Sequence, residues 1–414
     1  VPDLIFVESN TTGSGMVALR TARRLGLRPV LLTHRPERYR GLTEAAPEVI
    51  TCDTNSPAAL ADAVPRDDLA GITTTSEFYA VAAAELAAAR GLPGNPPDAV
   101  RACRDKAALR RRLAGSAVPQ TPFAVVSDAA GARAALGRIG LPCVVKPVDD
   151  TGSTNVRVCV TGAEVAEQVD RILAVRTNVR GQPAAPVALV ERFVDGPEYS
   201  VEMFSVAGRA VCLGIVAKTV TAPPYCAEVR HVYPAGVPAA VAAELTGMVA
   251  RVLTAAGIRD GATHTELRRD AGGCSVIEVN CRPAGGMIPE LIRLVDGVDI
   301  LEQQLRWAAG LPVDLTRDRR GAAGIQFVTA AETGVLQDVR GVAGARAVPG
   351  VCDVVVTAPA GAEIRPPRSA YDRLGYVIAR GADPAEVTTR LAAATARLTV
   401  TAQPRPELID AGGS

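Results

Sequence analysis

The chain has 414 residues, nearly half of them apolar, with 45 basic against 44 acidic side chains, the balance expected of a soluble protein of several domains. Charges of both signs are interspersed and aromatics are scarce, which excludes a nucleic-acid partner and a disordered acidic tail. No apolar run reaches the ~20 residues of a bilayer span, no signal-peptide pattern opens the chain, and the nine cysteines include no C-x-x-C, so a cytoplasmic protein with reduced core thiols and no membrane partner is expected.

Over residues 1–97, short apolar runs alternate with amphipathic segments: LIFV, MVALRTARRLG, RPVLLTH, PAALADAV, AGITTTS and FYAVAAAELAAARG. This βαβ series predicts a parallel sheet with helical crossovers. Its first turn, Thr12-Gly13-Ser14-Gly15-Met16-Val17-Ala18, matches the dinucleotide fingerprint G-x-G-x-x-A. A nicotinamide enzyme would place Asp or Glu at the end of the next strand; Thr33-His34-Arg35 stands there, which disfavours NAD and leaves NADP open.

Residues 98–122 read as a proline-flanked linker helix. The next unit, 123–190, carries a helix, the strand PCVVKPV, a small-residue turn DDTGSTN and a second strand. Residues 191–315 are strand-rich, with a hairpin predicted around Ala271-Gly272-Gly273 between GATHTELRRD and CSVIEVN. A last unit spans 316–402, and the tail 403–414 is expected to fray.

Chemistry concentrates in VIEVNCRPAGG. Glu278 and Asn280 lie two apart on a strand and share a face, as do His264 and Glu266 upstream. Two carboxylates and an amide converging across adjacent strands suit Mg²⁺ with substrate phosphates completing its shell, although a solvated polar strand gives the same pattern. Arg282 follows as a fork for phosphate or carboxylate, and Gly285-Gly286 leaves backbone N–H groups open to an anion. Only Lys106, Lys146 and Lys218 are lysine among the 45 basic residues, which marks them as positions needing a compact ammonium. Lys146 sits in a buried-type strand, where a charge needs a reason. The turn Asp149-Asp150-Thr151-Gly152-Ser153 follows it. Farther on, VERFVDGPEYSVE breaks at Asp195-Gly196-Pro197 and presents Glu198, a strand end able to meet an adenine edge and ribose hydroxyls. Of the histidines, His264 reads equally as a hydrogen-bonded strand residue or a substrate contact, and His34 as structural.

The ordered set of Lys106, Lys146, the 149–153 turn, Glu191-x-x-Val194 with Glu198, Glu266, and Glu278-x-Asn280-x-Arg282 resembles an ATP-grasp enzyme across nearly the whole chain. It is most similar to carboxylate–amine ligases of the L-amino acid ligase type. The resemblance implies an α/β protein: a parallel N-terminal domain (1–97), a lid subdomain (123–190), a catalytic subdomain (191–315) and a biotin carboxylase-like α+β C-terminal domain (316–402). It implies ATP and Mg²⁺ as cofactors. Lys106 and Lys146 would contact ATP phosphates beneath a mobile lid at Thr151, Gly152 and Ser153; Glu191 and Val194 would meet adenine, and Glu198 ribose. Glu266, Glu278 and Asn280 would hold Mg²⁺. Lys146 and Arg282 would serve catalysis, and Glu228, His231, His264, Arg282, Gly285 and Gly286 would contact substrate, with Glu228 and His231 facing an amino group. Arg230 departs from the family, whose members often carry glycine before this histidine. The implied reaction joins a small-molecule carboxylate to an amine through an acyl phosphate, and family habit points to a homodimer. Alternatives are a bicarbonate-using carboxylase of the same superfamily and a non-catalytic nucleotide-binding module.

Overall fold

The computed structural model describes residues 1–11, 13–64 and 68–404; Thr12 of the fingerprint and the tail beyond Pro404 lie outside the described residues. The N-terminal unit is a four-stranded parallel sheet in the order Glu48–Thr51, Arg28–Thr33, Asp3–Val7, Leu69–Thr73. Asp3–Val7 is buried at every position because both faces are covered, the reason its sequence reads as a continuous apolar run. Leu4 and Phe6 pack with Leu19 and Leu31, and also with Leu305 and Ala308 from the helix Ile300–Ala308. Ile5 and Val7 pack on the other face with Leu60, Ile72 and Leu86. This unit therefore completes its core with a helix from far along the chain.

Where one linker helix was expected there are two, Pro97–Arg104 and Lys106–Ala114. Asp105 separates them: its backbone is extended, and its carboxylate caps the second helix by accepting the Ala108 N–H at 2.9 Å. Lys106 thereby becomes the first residue of a helix, its own N–H donating to the Val148 carbonyl. The lid subdomain is an antiparallel sheet in the order Phe123–Val126, Ala188–Arg192, Cys143–Pro147, Arg157–Cys159, covered by the helices Ala129–Ile139 and Gly162–Ala174. Ala188–Arg192 runs through the expected boundary at 190/191, so Glu191 belongs to the lid sheet.

The rest of the chain is organised on one eight-stranded sheet. Gly273–Asn280, Gly261–Asp270, Glu198–Val206, Arg209–Val220 and Glu228–Tyr233 lead into Ala322–Thr329, Arg373–Gly381 and Val351–Val356. The expected hairpin at 271–273 is present, and the sheet crosses the expected boundary at 315/316 because Glu228–Tyr233 pairs antiparallel with Ala322–Thr329. The C-terminal unit adds the helix Pro384–Thr395 and a small sheet that ends at Gln403. The helix Ala239–Ala256 is, among the described residues, long and apolar enough to cross a membrane by length and composition. Its stripe Leu245, Met248, Val249, Val252 and Leu253 lies instead against Val201, Met203, Leu267 and Val276 of the large sheet. All nine cysteines are free thiols.

Candidate active site

The N-terminal, lid and large sheets enclose a cavity of about 1130 Å³, above the ~300–1,000 Å³ usual for one small ligand. Strand register builds its floor. One row of directly paired residues reads Arg268, Glu198, Lys218, His231; beside it Glu266 faces Glu278, and His264 faces both Asn280 and Glu202. Paired and alternate residues of a sheet share a face, so these strands project their polar side chains to one side while their other faces fill the core.

At the lid end, Lys146 pairs with Glu191, and Arg110 reaches the same carboxylate at 3.1 Å. Burial opposes ionisation of Glu191, but the charges of Arg110 and Lys146 outweigh it and hold the carboxyl at about 2. Arg110 also donates to the carbonyls of Val276 and Ile277 at 2.8 and 2.9 Å. There the ladder slips by one residue between Glu266 and Leu267, and the arginine satisfies the carbonyls of the irregular strand. Glu198 is buried, accepts Arg268 Nε at 2.9 Å, and has its pKa pushed up to about 7 by burial and the neighbouring Glu266 and Glu228, against Lys218 and Arg268. The Val194 carbonyl accepts from Arg268. Thr151, Gly152 and Ser153 line the same cavity.

In the middle, Lys106 Nζ lies 2.9 Å from Glu278 Oε2 and donates to the Asp150 carbonyl at 2.7 Å. Asn280 Nδ2 donates to Glu278 Oε1 at 2.9 Å. Lys218 Nζ bridges Glu228 and Glu266. Around it, carboxylate oxygens of Glu198, Glu228 and Glu266 lie within 4.8 Å of one another. The donor set fits Mg²⁺: Glu266, Glu278 and Asn280, brought together by the pairing of their two strands, all offer hard oxygens. The structure thus gathers Glu228, expected at an amine, among the acids around Glu266. His264, expected at substrate, has both ring nitrogens occupied, Nδ1 by Glu202 at 2.8 Å and Nε2 by Glu266 at 3.0 Å. Burial works against its protonation, yet the two carboxylates raise it to about 9, so it orients Glu266 rather than presenting a free nitrogen.

At the third end, Arg282 lies just beyond the strand that ends at Asn280. Its Nε is 2.9 Å from Glu77 Oε2, a residue of the N-terminal unit. His231 is buried against the edge of Phe327 and lies 3.3 Å from Glu228 Oε2. Burial lowers its pKa, which favours the neutral ring, and Nδ1 has no hydrogen-bond partner among the described residues. Gly286 has φ +57°, and a Cβ there would stand 2.8 Å from His231 Cε1; Gly285 and Gly286 both line the cavity. Arg230 points to the opposite face, donating to Thr219, and leaves this pocket unobstructed. Arg373 caps the pocket from the C-terminal unit, donating to Glu228 Oε2 at 2.9 Å with its guanidinium 3.6 Å from the Phe327 ring centre.

Arg110, Arg373, Glu77 and Glu202 escaped the sequence reading. Arg110 had a signal, since it follows Lys106 by one helical turn and faces the same way. Arg373 had none, because nothing local separates it from many other arginines. At the N-terminal crevice, Glu8 accepts from Thr33 Oγ1 and the His34 N–H, filling the strand end where a dinucleotide ribose would bind.

Clustered cations, opposed acids and a buried histidine thus gather between three subdomains, in the layered arrangement of an ATP-grasp fold. Residues 139–290 match the ATP-grasp domain, and residues 326–403 match the L-amino acid ligase C-terminal domain 2. An uncharacterised protein of Sinorhizobium fredii is 33% identical over 91% of this chain and 78% of its own length. The crystal structure of an L-amino acid ligase from Bacillus licheniformis superposes with a TM-score of 0.82 at 21% identity, covering 97% of this chain and 99% of that one. A biotin carboxylase domain from Hydrogenobacter thermophilus, crystallised with MgADP and bicarbonate, gives 0.73 at 17% identity over 97% and 91%. The chain belongs to the ATP-grasp family of ligases and ends in an L-amino acid ligase C-terminal domain.

Proposed function

We propose that the chain joins the carboxylate of an amino acid to an amine, in the simplest case a second amino acid, through an acyl phosphate, releasing ADP and phosphate. The observation that carries this reading is the placement of Arg282 and neutral His231 beside the carboxylate cluster, in a cavity with room for more than a nucleotide. Lys146 and Lys106 bind phosphate oxygens and orient the γ-phosphoryl group towards the acid. Glu266, Glu278 and Asn280 would hold Mg²⁺, which would supply charge neutralisation for the phosphates. Lys218, amid the carboxylates, adds a positive charge beside it. Arg282 stabilises the charge that develops as the acid is phosphorylated and as the amine attacks the acyl carbon. Neutral His231, with Nδ1 free, can accept a proton from the incoming ammonium, and backbone N–H groups at Gly285 and Gly286 receive a substrate carboxylate.

The test is phosphate release measured against a matrix of amino acids and amines, with products weighed by mass spectrometry. Release only when an acid and an amine are both present, with a product lighter than their sum by one water, is the expected result. Turnover that depends on bicarbonate alone would move the chain to the carboxylases, and nucleotide binding without turnover to the sensors.

A further inference from the structure

We propose that the turn Ala370–Asp372 of the C-terminal unit is a latch that holds the phosphate-side turn 151–153 shut, with Ala370 and Tyr371 as positioning residues. The contact stands on geometry, and its consequence for catalysis rests on the ligase reading above. The Ala370 N–H donates to the Gly152 carbonyl at 3.0 Å; among the described residues, this is the one backbone hydrogen bond by which 151–153 reaches another subdomain. Gly152 has φ +67°, and a Cβ there would meet Ala370 Cβ at 3.4 Å and the Tyr371 ring at 3.6 Å. Ser153 and Asn155 are also left-handed, at φ 59° and 54°, a conformation asparagine takes readily but serine seldom holds unless its surroundings impose it. The root of the turn is fixed separately, Arg104 donating to the Asp149 carbonyl and Lys106 to that of Asp150. Its tip depends on the C-terminal unit.

The latch itself is stiff. Ser369 Oγ accepts the Tyr371 N–H, while Asp372 accepts from the Ser369 and Arg368 N–H groups and from Arg365 Nε, each at 2.8–2.9 Å. A rigid hook on one unit and a strained turn on another give the closed site a definite geometry. An acyl phosphate beneath it is shielded from water until the amine arrives.

Ala370→Pro tests this. Ala370 is the first residue of a short helical turn, where proline is well accommodated, and Ser369 before it is extended (φ −156°, ψ 173°), as a residue preceding proline requires. The variant deletes the latching N–H while leaving the hook folded; Ala370→Gly keeps the N–H and serves as rescue. Hydrogen exchange of amides 151–156 in the full chain should quicken about three- to tenfold in Ala370→Pro, the effect of losing one backbone hydrogen bond, and remain at the wild-type rate in Ala370→Gly. On a turnover-competent substrate pair, the ratio of amide to phosphate should fall several-fold in the proline variant alone, with a higher KM for ATP. Equal exchange in wild type and Ala370→Pro would overturn the latch, as would equal loss in the glycine variant. Should Ala370→Pro fail to fold, Tyr371→Ala carries the same exchange test. A wild-type protein that forms no amide would refute the ligase reading, while the exchange result still decides the latch.

Discussion

Glu191 concentrates the electrostatics of the lid end in one carboxyl. Held at about 2 between Arg110 and Lys146, against 4.5 when unfolded, its depressed pKa contributes stability that is complete above pH 4.5 and is lost as pH falls towards 2. The shift corresponds to roughly 3 kcal/mol. Glu191→Gln should therefore lower stability at pH 7 and flatten the pH dependence of unfolding free energy between pH 5 and 2, measured by urea titration; an unchanged acid limb would remove the charge argument. Arg282 makes a different prediction. With Glu77 beside its guanidinium and the acid-activating role proposed above, Arg282→Ala should lower kcat by about 10²–10³ while nucleotide affinity, proposed to rest on Lys106 and Lys146, changes little. Comparable losses in kcat and in ADP affinity would put Arg282 on the nucleotide instead.

Two glycine-bearing elements separate packing from chemistry. Gly15 stands where a Cβ would lie 1.9 Å from the Asn10 carbonyl oxygen, so the strand-to-helix turn after Asp3–Val7 admits no side chain. Gly15→Ala should cost roughly 1–3 kcal/mol of stability and leave ATP affinity nearly unchanged, because the lysines lie on other elements. A large loss of ATP affinity in a folded Gly15→Ala protein would place the nucleotide at this turn after all. Gly286→Ala presses on His231 and should raise KM for the acid or amine more than KM for ATP. Both turns were visible in the sequence as glycine pairs, but their roles were not, since a fingerprint records a tight turn and not what approaches it. The paired acids were legible for a similar reason: two-residue spacing on a strand fixes a common face, and Glu266 does stand opposite Glu278. Lys218 was visible only as a rare lysine. Its place among Glu198, Glu228 and Glu266 depends on the pairing of four strands, which no local pattern encodes. The hydrogen bonds of His264 were hidden for the same reason, because Glu202 reaches it from a strand 62 residues away.

At the scale of the molecule, the boundary read near residue 315 divides the sequence but not the sheet. Glu228–Tyr233 is an inner strand only because Ala322–Thr329 pairs with it, and the buried Val232 and Tyr233 pack into clusters built with Ala322, Ala323, Ile325 and Ile378. Arg373 ties the same strand from above through Glu228. A chain ending at residue 315 would leave that strand as an exposed edge with unpaired N–H and C=O groups and uncovered apolar side chains, a template for association between copies. It would also release Glu228 from Arg373, loosening the carboxylates that surround Lys218. The truncated protein is therefore expected to aggregate on expression, and any soluble fraction to bind MgADP at least tenfold more weakly than the full chain by calorimetric titration. A soluble, monomeric 1–315 protein with full-length affinity would mean that the five strands from Gly273–Asn280 to Glu228–Tyr233 close the nucleotide site unaided, and that the C-terminal unit serves only the acid and amine.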